Sequence, residues 1–225
     1  ALLNVLVPTS TWFRLSVTCG QTTTYSTPFH AVTSSFSAPY TENFDSGVAS
    51  TYVPNNCWTR SSSNGTSLWQ FANGIGSPAL DPDYAVENVT DHTSGTGFFA
   101  WFDGGFTATN VAYTSPVINT SALTVPYVRF YLYSNNTNDA ALNTLALQAW
   151  DGLTWVTLGT YSGNFPGWQE KAVVVPPTIP VNTQFRLVAN PGTGAGSEFY
   201  NDLLVDDFSV QEAPPCATPV GPAVS

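Results

Sequence analysis

The acidic side chains are where this sequence concentrates its capacity for chemistry. Asp45 lies near the start of a long β-patterned segment, Asp91 in the polar stretch Asp91-His92-Thr93-Ser94-Gly95, and Asp206 and Asp207 in the last strand-like run. The first and last strands of a sandwich are readily neighbours, so these carboxylates are expected to lie close together, with almost no Lys or Arg nearby in sequence to neutralise them. Crowded carboxylates repel unless they are hydrogen-bonded or bridged by a cation, and Ca2+ takes 6–8 oxygen ligands at roughly 2.3–2.6 Å. Asp45, Asp91, Asp206 and Asp207 are therefore candidate ligands of one structural calcium ion. The alternative is that Asp91 caps a turn and that Asp206 and Asp207 accept backbone N–H groups. Asp81-Pro82-Asp83 offers oxygens for a second ion in a loop.

Other chemistry is thinly represented. His30 and His92 are the only histidines, and no Gly-x-Ser-x-Gly elbow, His-Glu-x-x-His, Cys-x-x-Cys or phosphate-cradling glycine loop is present. His92 is adjacent to Asp91 and would point elsewhere in an extended chain, so no catalytic residues are assigned and the chain is expected not to be an enzyme. Among the tryptophans most are expected to fill a core. Trp101, beside Phe102 and Asp103-Gly104-Gly105, is the candidate for an exposed sugar-stacking surface, with Asp103 as its polar partner.

The elements that must position these groups are strands. The chain has 225 residues, a net charge of -10 and only 9% charged residues, against roughly 25% in an average soluble protein. With 15 acidic and 5 basic side chains, nucleic-acid binding and a polybasic membrane anchor are excluded, since both need a Lys/Arg surface. No apolar run approaches the ~20 residues of a membrane helix. Apolar residues at 43% are ample for a core, and 17 Gly with 17 Pro spread along the chain imply many turns. The runs Trp12–Thr18, Gly97–Phe102, Val125–Tyr133, Thr144–Trp150, Leu153–Leu158, Lys171–Val175, Gln184–Ala189 and Leu203–Val210 read as strands, and Asp151-Gly152 as a two-residue type I′ hairpin turn. Amphipathic helices between strands are not visible, so the expected fold is all-β, a jelly-roll β-sandwich.

Two breaks divide the chain, one through Ser34–Pro39 and one through Ala213–Pro219. Residues 1–35 are too short for an ordinary core; they are expected to carry at most three strands, ordered only by pairing with strands from elsewhere. Methionine is absent even at position 1, and the three cysteines, Cys19, Cys57 and Cys216, leave at least one unpaired. Both facts fit a chain taken from inside something larger.

Residues 39–212 resemble a MAM domain, the adhesive jelly roll of meprin, neuropilin and receptor phosphatase mu. The resemblance rests, in order, on Asn43-Phe44-Asp45, Cys57-Trp58, Leu68-Trp69, Asp91-His92-Thr93-Ser94-Gly95-Thr96-Gly97-Phe98, Thr114-Ser115-Pro116-Val117 and Val205-Asp206-Asp207-Phe208-Ser209-Val210. The opening cysteine of the animal domains is missing, which leaves Cys57 without an intradomain partner and points to the bacterial surface-protein variety. Val7-Pro8-Thr9-Ser10-Thr11-Trp12-Phe13-Arg14-Leu15-Ser16-Val17 resembles the last strands of a fibronectin type III module, and Pro215-Cys216-Ala217-Thr218-Pro219 in residues 213–225 resembles the start of another. Cys19 and Cys216 then belong to split neighbours, and no Cys19–Cys57 disulfide is expected. The resemblance implies a structural cation at the acidic cluster. It also implies a non-catalytic adhesion and spacer module of a secreted or cell-surface protein, a bacterial adhesin, partnered by neighbouring modules and by a surface protein or glycan. The alternative is a carbohydrate-binding module of a secreted glycoside hydrolase or protease.

Overall fold

The computed structural model describes residues 11–31, 35–45, 57–73, 89–104, 108–135, 143–192 and 202–215. Asp81, Asp83 and Cys216 lie outside the described residues. Among these residues every regular element is a strand, and no helix is long and apolar enough to cross a membrane. Short, β-branched and aromatic runs punctuated by Gly, Pro and Asn favour that outcome.

Two sheets form the sandwich. One runs β14 (Trp155–Ser162), β13 (Thr144–Trp150), β17 (Phe185–Asn190), β10 (Val111–Thr114) and β7 (Thr59–Ser61). The other runs β15 (Asn164–Val174), β12 (Pro126–Asn135), β18 (Leu203–Glu212), β9 (Phe99–Phe102) and β8 (Gln70–Ala72), and β6 (Tyr40–Glu42) also pairs with β18. A smaller sheet joins β16 (Asn182–Thr183), β11 (Val117–Asn119) and β5 (Ser35–Ser37). Sheet neighbours are mostly distant in sequence, as the crossing connections of an all-β jelly roll require. The first and last strands of the long segment are adjacent, with Tyr40 opposite Val210 and Glu42 opposite Phe208.

Alternation places the core. In β13, Leu145, Leu147 and Ala149 are buried while Thr144, Ala146, Gln148 and Trp150 are partly exposed. Between the sheets pack Trp58, Trp69, Tyr113 and six or more phenylalanines with them, among them Phe44, Phe130, Phe185 and Phe208. Fully burying such a side chain stabilises by about 1.5–3 kcal/mol each.

Strand β9 departs from one-sided burial. Ala100 and Phe102 enter the main core, while Phe99 and Trp101 join Ala72 and Leu204 in a second apolar cluster on the far side of the same sheet, against Val89, Tyr133 and Trp168. Trp101 is therefore 3% exposed and cannot present a sugar-stacking face, which corrects the expectation. Its apolar neighbourhood, with aromatics on both flanks, already signalled a strand buried on two sides.

Two further expectations change. The hairpin after β13 is not a two-residue turn: Trp150 pairs with Trp155, so Asp151–Thr154 form the loop. Only Gly152 has positive φ there, because Asp151 Oδ1 accepts the N–H groups of Leu153 and Thr154 at 2.7 and 2.6 Å and closes an Asx turn instead. Leu153 is left 85% exposed rather than in a strand. Among its described residues the N-terminal segment carries four strands, not three at most: β1 (Thr11–Phe13) pairs with β4 (Phe29–Ala31), and β2 (Ser16–Cys19) with β3 (Thr22–Tyr25). Arg14-Leu15 interrupts what reads as one strand, and the ladders close within the segment rather than on strands from elsewhere. Residues 13–28 are exposed throughout. Cys19 and Cys57 are both free and exposed, so Cys57 does not sit in the apolar setting that Trp58 implies.

Candidate functional site

The acidic cluster is built by a bulge. Along β18 the inward residues are Leu203 and Val205, then Phe208 and Val210, so the alternation slips by one between them. The register confirms it: Arg129 faces Ser209 while Tyr131 faces Asp206, and Asp207 takes a φ of 49°. One extra residue in the strand lets Asp206 and Asp207 both leave the core side while Phe208 returns to it. The strand thereby turns two successive carboxylates toward the loop that follows Thr90.

That loop wraps around them. Asp206 Oδ2 accepts the His92 N–H at 2.9 Å and its Oδ1 the Asp207 N–H at 2.7 Å. Asp207 Oδ2 is 2.7 Å from His92 Nδ1 and also accepts the Thr93 hydroxyl. The His92 ring lies on Tyr131 with centroids 3.5 Å apart, and Trp168 Nε1 donates to Thr90 O at 2.9 Å. Asp91 Oδ2 accepts from Ser94 N, from Ser94 Oγ at 2.7 Å and from Gly95 N at 3.0 Å. So the turn-capping alternative for Asp91 holds, and His92 pairs with Asp207, 115 positions on, not with its neighbour.

Asp91 and Asp206 are in side-chain hydrogen-bond contact, two carboxyl groups with nothing basic between them. Burial, then the Asp91 carboxylate, pushes Asp206 up to about 9. Burial also acts to raise Asp91, but contact with Asp206 and the donors from Ser94 and Gly95 hold it below the usual range. Asp91 Oδ1 is buried, and no amide, hydroxyl or basic group donates to it. A proton on Asp206 or a cation is needed to make such a pair neutral enough to stay buried.

Asp45 stands on the other side of the loop. Its Oδ1 accepts the Phe98 N–H at 2.9 Å, and Asn43 Nδ2 donates to its Oδ2 at 2.6 Å. It approaches so closely because residue 97 is glycine: a Cβ there would lie 1.7 Å from Asp45 Oδ1 and 3.1 Å from Ser94 Oγ. Gly97→Ala should expel the Asp45 carboxylate from Phe98 N and cost about 1.5–3 kcal/mol, the range for a hydrogen bond to a charged group; an unchanged thermal midpoint would count against this geometry. The four expected ligands thus flank one loop, but among the described residues no group of three or more His, Cys, Asp or Glu side chains closes into a metal cage. Asp91 and Asp206 meet directly, Asp207 is turned to His92, and Asp45 is held by Phe98 and Asn43.

Asp103 is partly exposed at the end of β9, beside a residue that sequence reasoning missed. Asp202 is buried and accepts the Gly104 N–H at 2.8 Å. Desolvation, reinforced by the charge of Asp103, pushes its carboxyl up to about 7.

No protein-family model matches this chain, and no curated protein matches it. Among solved structures it is similar to the K2 cleaved adhesin domain of Lys-gingipain, at 15% identity and a TM-score of 0.53 over 77% of this chain and 98% of that one. It is similar also to the K1 cleaved adhesin domain of Lys-gingipain from Porphyromonas gingivalis, at 12% identity and a TM-score of 0.51 over 78% and 98%. A carbohydrate-binding module solved with β-1,4-galactotriose matches at 12% identity and a TM-score of 0.45 over 75% and 92%. At these identities the adhesin domains establish what is shared: an all-β jelly-roll sandwich.

Proposed function

We propose that this chain is a non-catalytic adhesion and spacer module of a secreted or cell-surface protein, a bacterial adhesin. The observation that carries the reading is the closure of the sandwich by its own ends. Strand β6 pairs antiparallel with β18, so the chain enters and leaves the body of the domain side by side. Neighbouring modules joined at those ends would load the β6–β18 pair and leave the rest of the sandwich unstressed. The shared fold with adhesin domains supports the reading, as does the resemblance of residues 39–212 to MAM domains. Short ladders within residues 11–31, exposed over residues 13–28, support a split fibronectin-like neighbour.

In this reading the acidic cluster holds a structural Ca2+. The donor set suits a hard cation: Asp91 Oδ1 is buried with no amide, hydroxyl or basic group donating to it, and the Asp206 carboxyl is in contact with the Asp91 side chain, with loop carbonyls and hydroxyls to complete an oxygen shell. Asp45 and Asp207 brace the same loop from either side. The ion's role is to pin the 91–97 loop to the closing strand, not to activate a substrate.

The test is adhesion without turnover. Beads coated with the folded protein should adhere to immobilised glycoproteins and lose adhesion on heat unfolding. Catalysed cleavage of a glycan, ester or peptide by the purified chain would overturn the reading. A carbohydrate-binding module is the second reading, and the partly exposed Trp150 and Trp155 on the five-stranded sheet favour it.

A further inference from the structure

The outer face of the five-stranded sheet carries a polar row with one side chain from each strand. Thr157 faces Gln148, Gln148 faces Arg186, Arg186 faces Thr114 and Thr114 faces Thr59. Four inter-strand steps of ~4.8 Å make the row about 19 Å long. Its members are internally ordered: Arg186 Nε donates to Gln148 Oε1 at 2.7 Å, and Gln148 Nε2 donates to Thr157 Oγ1 at 3.1 Å. The guanidinium lies 4.2 Å from the centre of the Trp155 ring. Trp150 stands opposite Trp155, with ring centroids 5.3 Å apart.

Arg186 is the anomaly in this arrangement. The chain has 15 acidic and 5 basic side chains, yet among the described residues no carboxylate pairs with this half-buried cation. Elsewhere Arg129 meets Glu170 at 3.8 Å on the other sheet, and His92 Nδ1, in the loop beside it, meets Asp207. Beyond Gln148 and Trp155, no further hydrogen bond or ion pair engages the guanidinium among the described residues. Burial lowers its pKa, so its charge is partly stripped of water without a counter-charge. The row itself contains no acid. A stacked, aimed guanidinium presents paired N–H donors suited to a planar carboxylate.

We propose that this face binds a glycan chain bearing carboxylated sugars, with Arg186 taking the carboxylate and the Trp150–Trp155 pair the apolar face of a sugar ring. The proposal rests on the binding-module reading and names its site and ligand class. A partly exposed pair of inclined tryptophans beside a row of hydroxyls matches a sugar's combination of C–H face and hydroxyl edge. A neutral glycan would leave the uncompensated cation unexplained. An acidic peptide would have no use for the threonine row.

Calorimetric titration of the folded chain with oligogalacturonate tests this, alongside neutral galactose oligosaccharides and a Glu-rich peptide as competitors. Saturable binding of oligogalacturonate alone is expected. Arg186→Lys keeps the charge but loses the fork, and should weaken binding about tenfold or more. Thr114→Glu places a carboxylate opposite Arg186 and should abolish binding while leaving the thermal midpoint within a few degrees, since Thr114 is outside the core. Equal binding of the neutral oligosaccharide or of the peptide, unaltered binding by either folded variant, or no binding at all would overturn the proposal. If oligogalacturonate does not bind while coated beads still adhere to glycoproteins, this platform is wrong and the adhesion reading survives.

Discussion

Trp58→Ala is expected to remove about 3–5 kcal/mol of folding stability, the usual cost of truncating a fully buried large aromatic. Trp58 is 1% exposed and its ring touches Phe44, Tyr113 and Phe208, with centroids 5.9, 4.6 and 5.1 Å away. These partners come from both sheets, so the residue couples the two layers. It also heads a buried polar chain. Trp58 Nε1 donates to Tyr40 Oη at 2.8 Å, Tyr40 contacts Glu42, and Glu42 Oε1 accepts the Phe44 N–H at 2.8 Å. Burial, the largest effect on Tyr40, raises its hydroxyl above the ordinary value and keeps it neutral. Trp58→Phe preserves most of the ring but withdraws the donor, and should cost less, about 1–3 kcal/mol. A native domain has only about 5–15 kcal/mol in total, so the alanine variant should show a large drop in urea midpoint. A midpoint unchanged by Trp58→Ala would mean that the two layers are not held together at this residue.

The second large effect is a pH dependence centred on Asp202. In the folded chain burial raises its carboxyl from 3.8 to about 7. Between those values the folded state keeps a proton that the unfolded chain has released. Asp202 therefore contributes its full stability below about pH 4 and loses it progressively as the pH rises through about 7. At 1.36 kcal/mol per pKa unit the loss is on the order of 4 kcal/mol as an upper bound. Asp202→Asn keeps a neutral side chain at every pH. Relative to the wild type it should grow more stable from about pH 4 to pH 7 and then level off. A difference between the two proteins that is flat across this range would show that Asp202 is not held neutral by burial.

Strand identity was readable where alternation is strict, as in Thr144–Trp150, because a side chain pointing every second time toward a core leaves a period of two. The adjacency of β6 and β18 followed from the jelly-roll expectation. The acidic cluster was legible as four residues, but not as a geometry. Its arrangement depends on the β18 bulge, whose trace in the sequence is the shift from Leu203 and Val205 to Phe208 and Val210. The His92–Asp207 contact joins residues 115 apart, and nothing local encodes it. Trp101 was misread because an aromatic beside Asp-Gly-Gly looks like a loop-mouth residue, whereas β9 is covered on both faces. Arg186 was invisible as a site for a related reason: its meaning lies in having no acid across four strands, and that becomes apparent only once the register is known.

In the proposed reading Asp91 and Asp206 share a cation that fastens the 91–97 loop to the closing strand. Thermal unfolding of the wild type in calcium and after chelation tests it most directly, with Asp206→Asn measured in parallel. A ligand bound only by the folded state adds RT ln(1 + [L]/Kd), about 2.7 kcal/mol at a hundredfold excess over Kd. Chelation should lower the wild-type midpoint by several degrees, added Ca2+ should restore it, and Asp206→Asn, which retains a neutral partner for Asp91, should be indifferent to both. A wild-type midpoint that does not move with calcium or chelator would contradict this reading and leave a shared proton as the group that neutralises the pair.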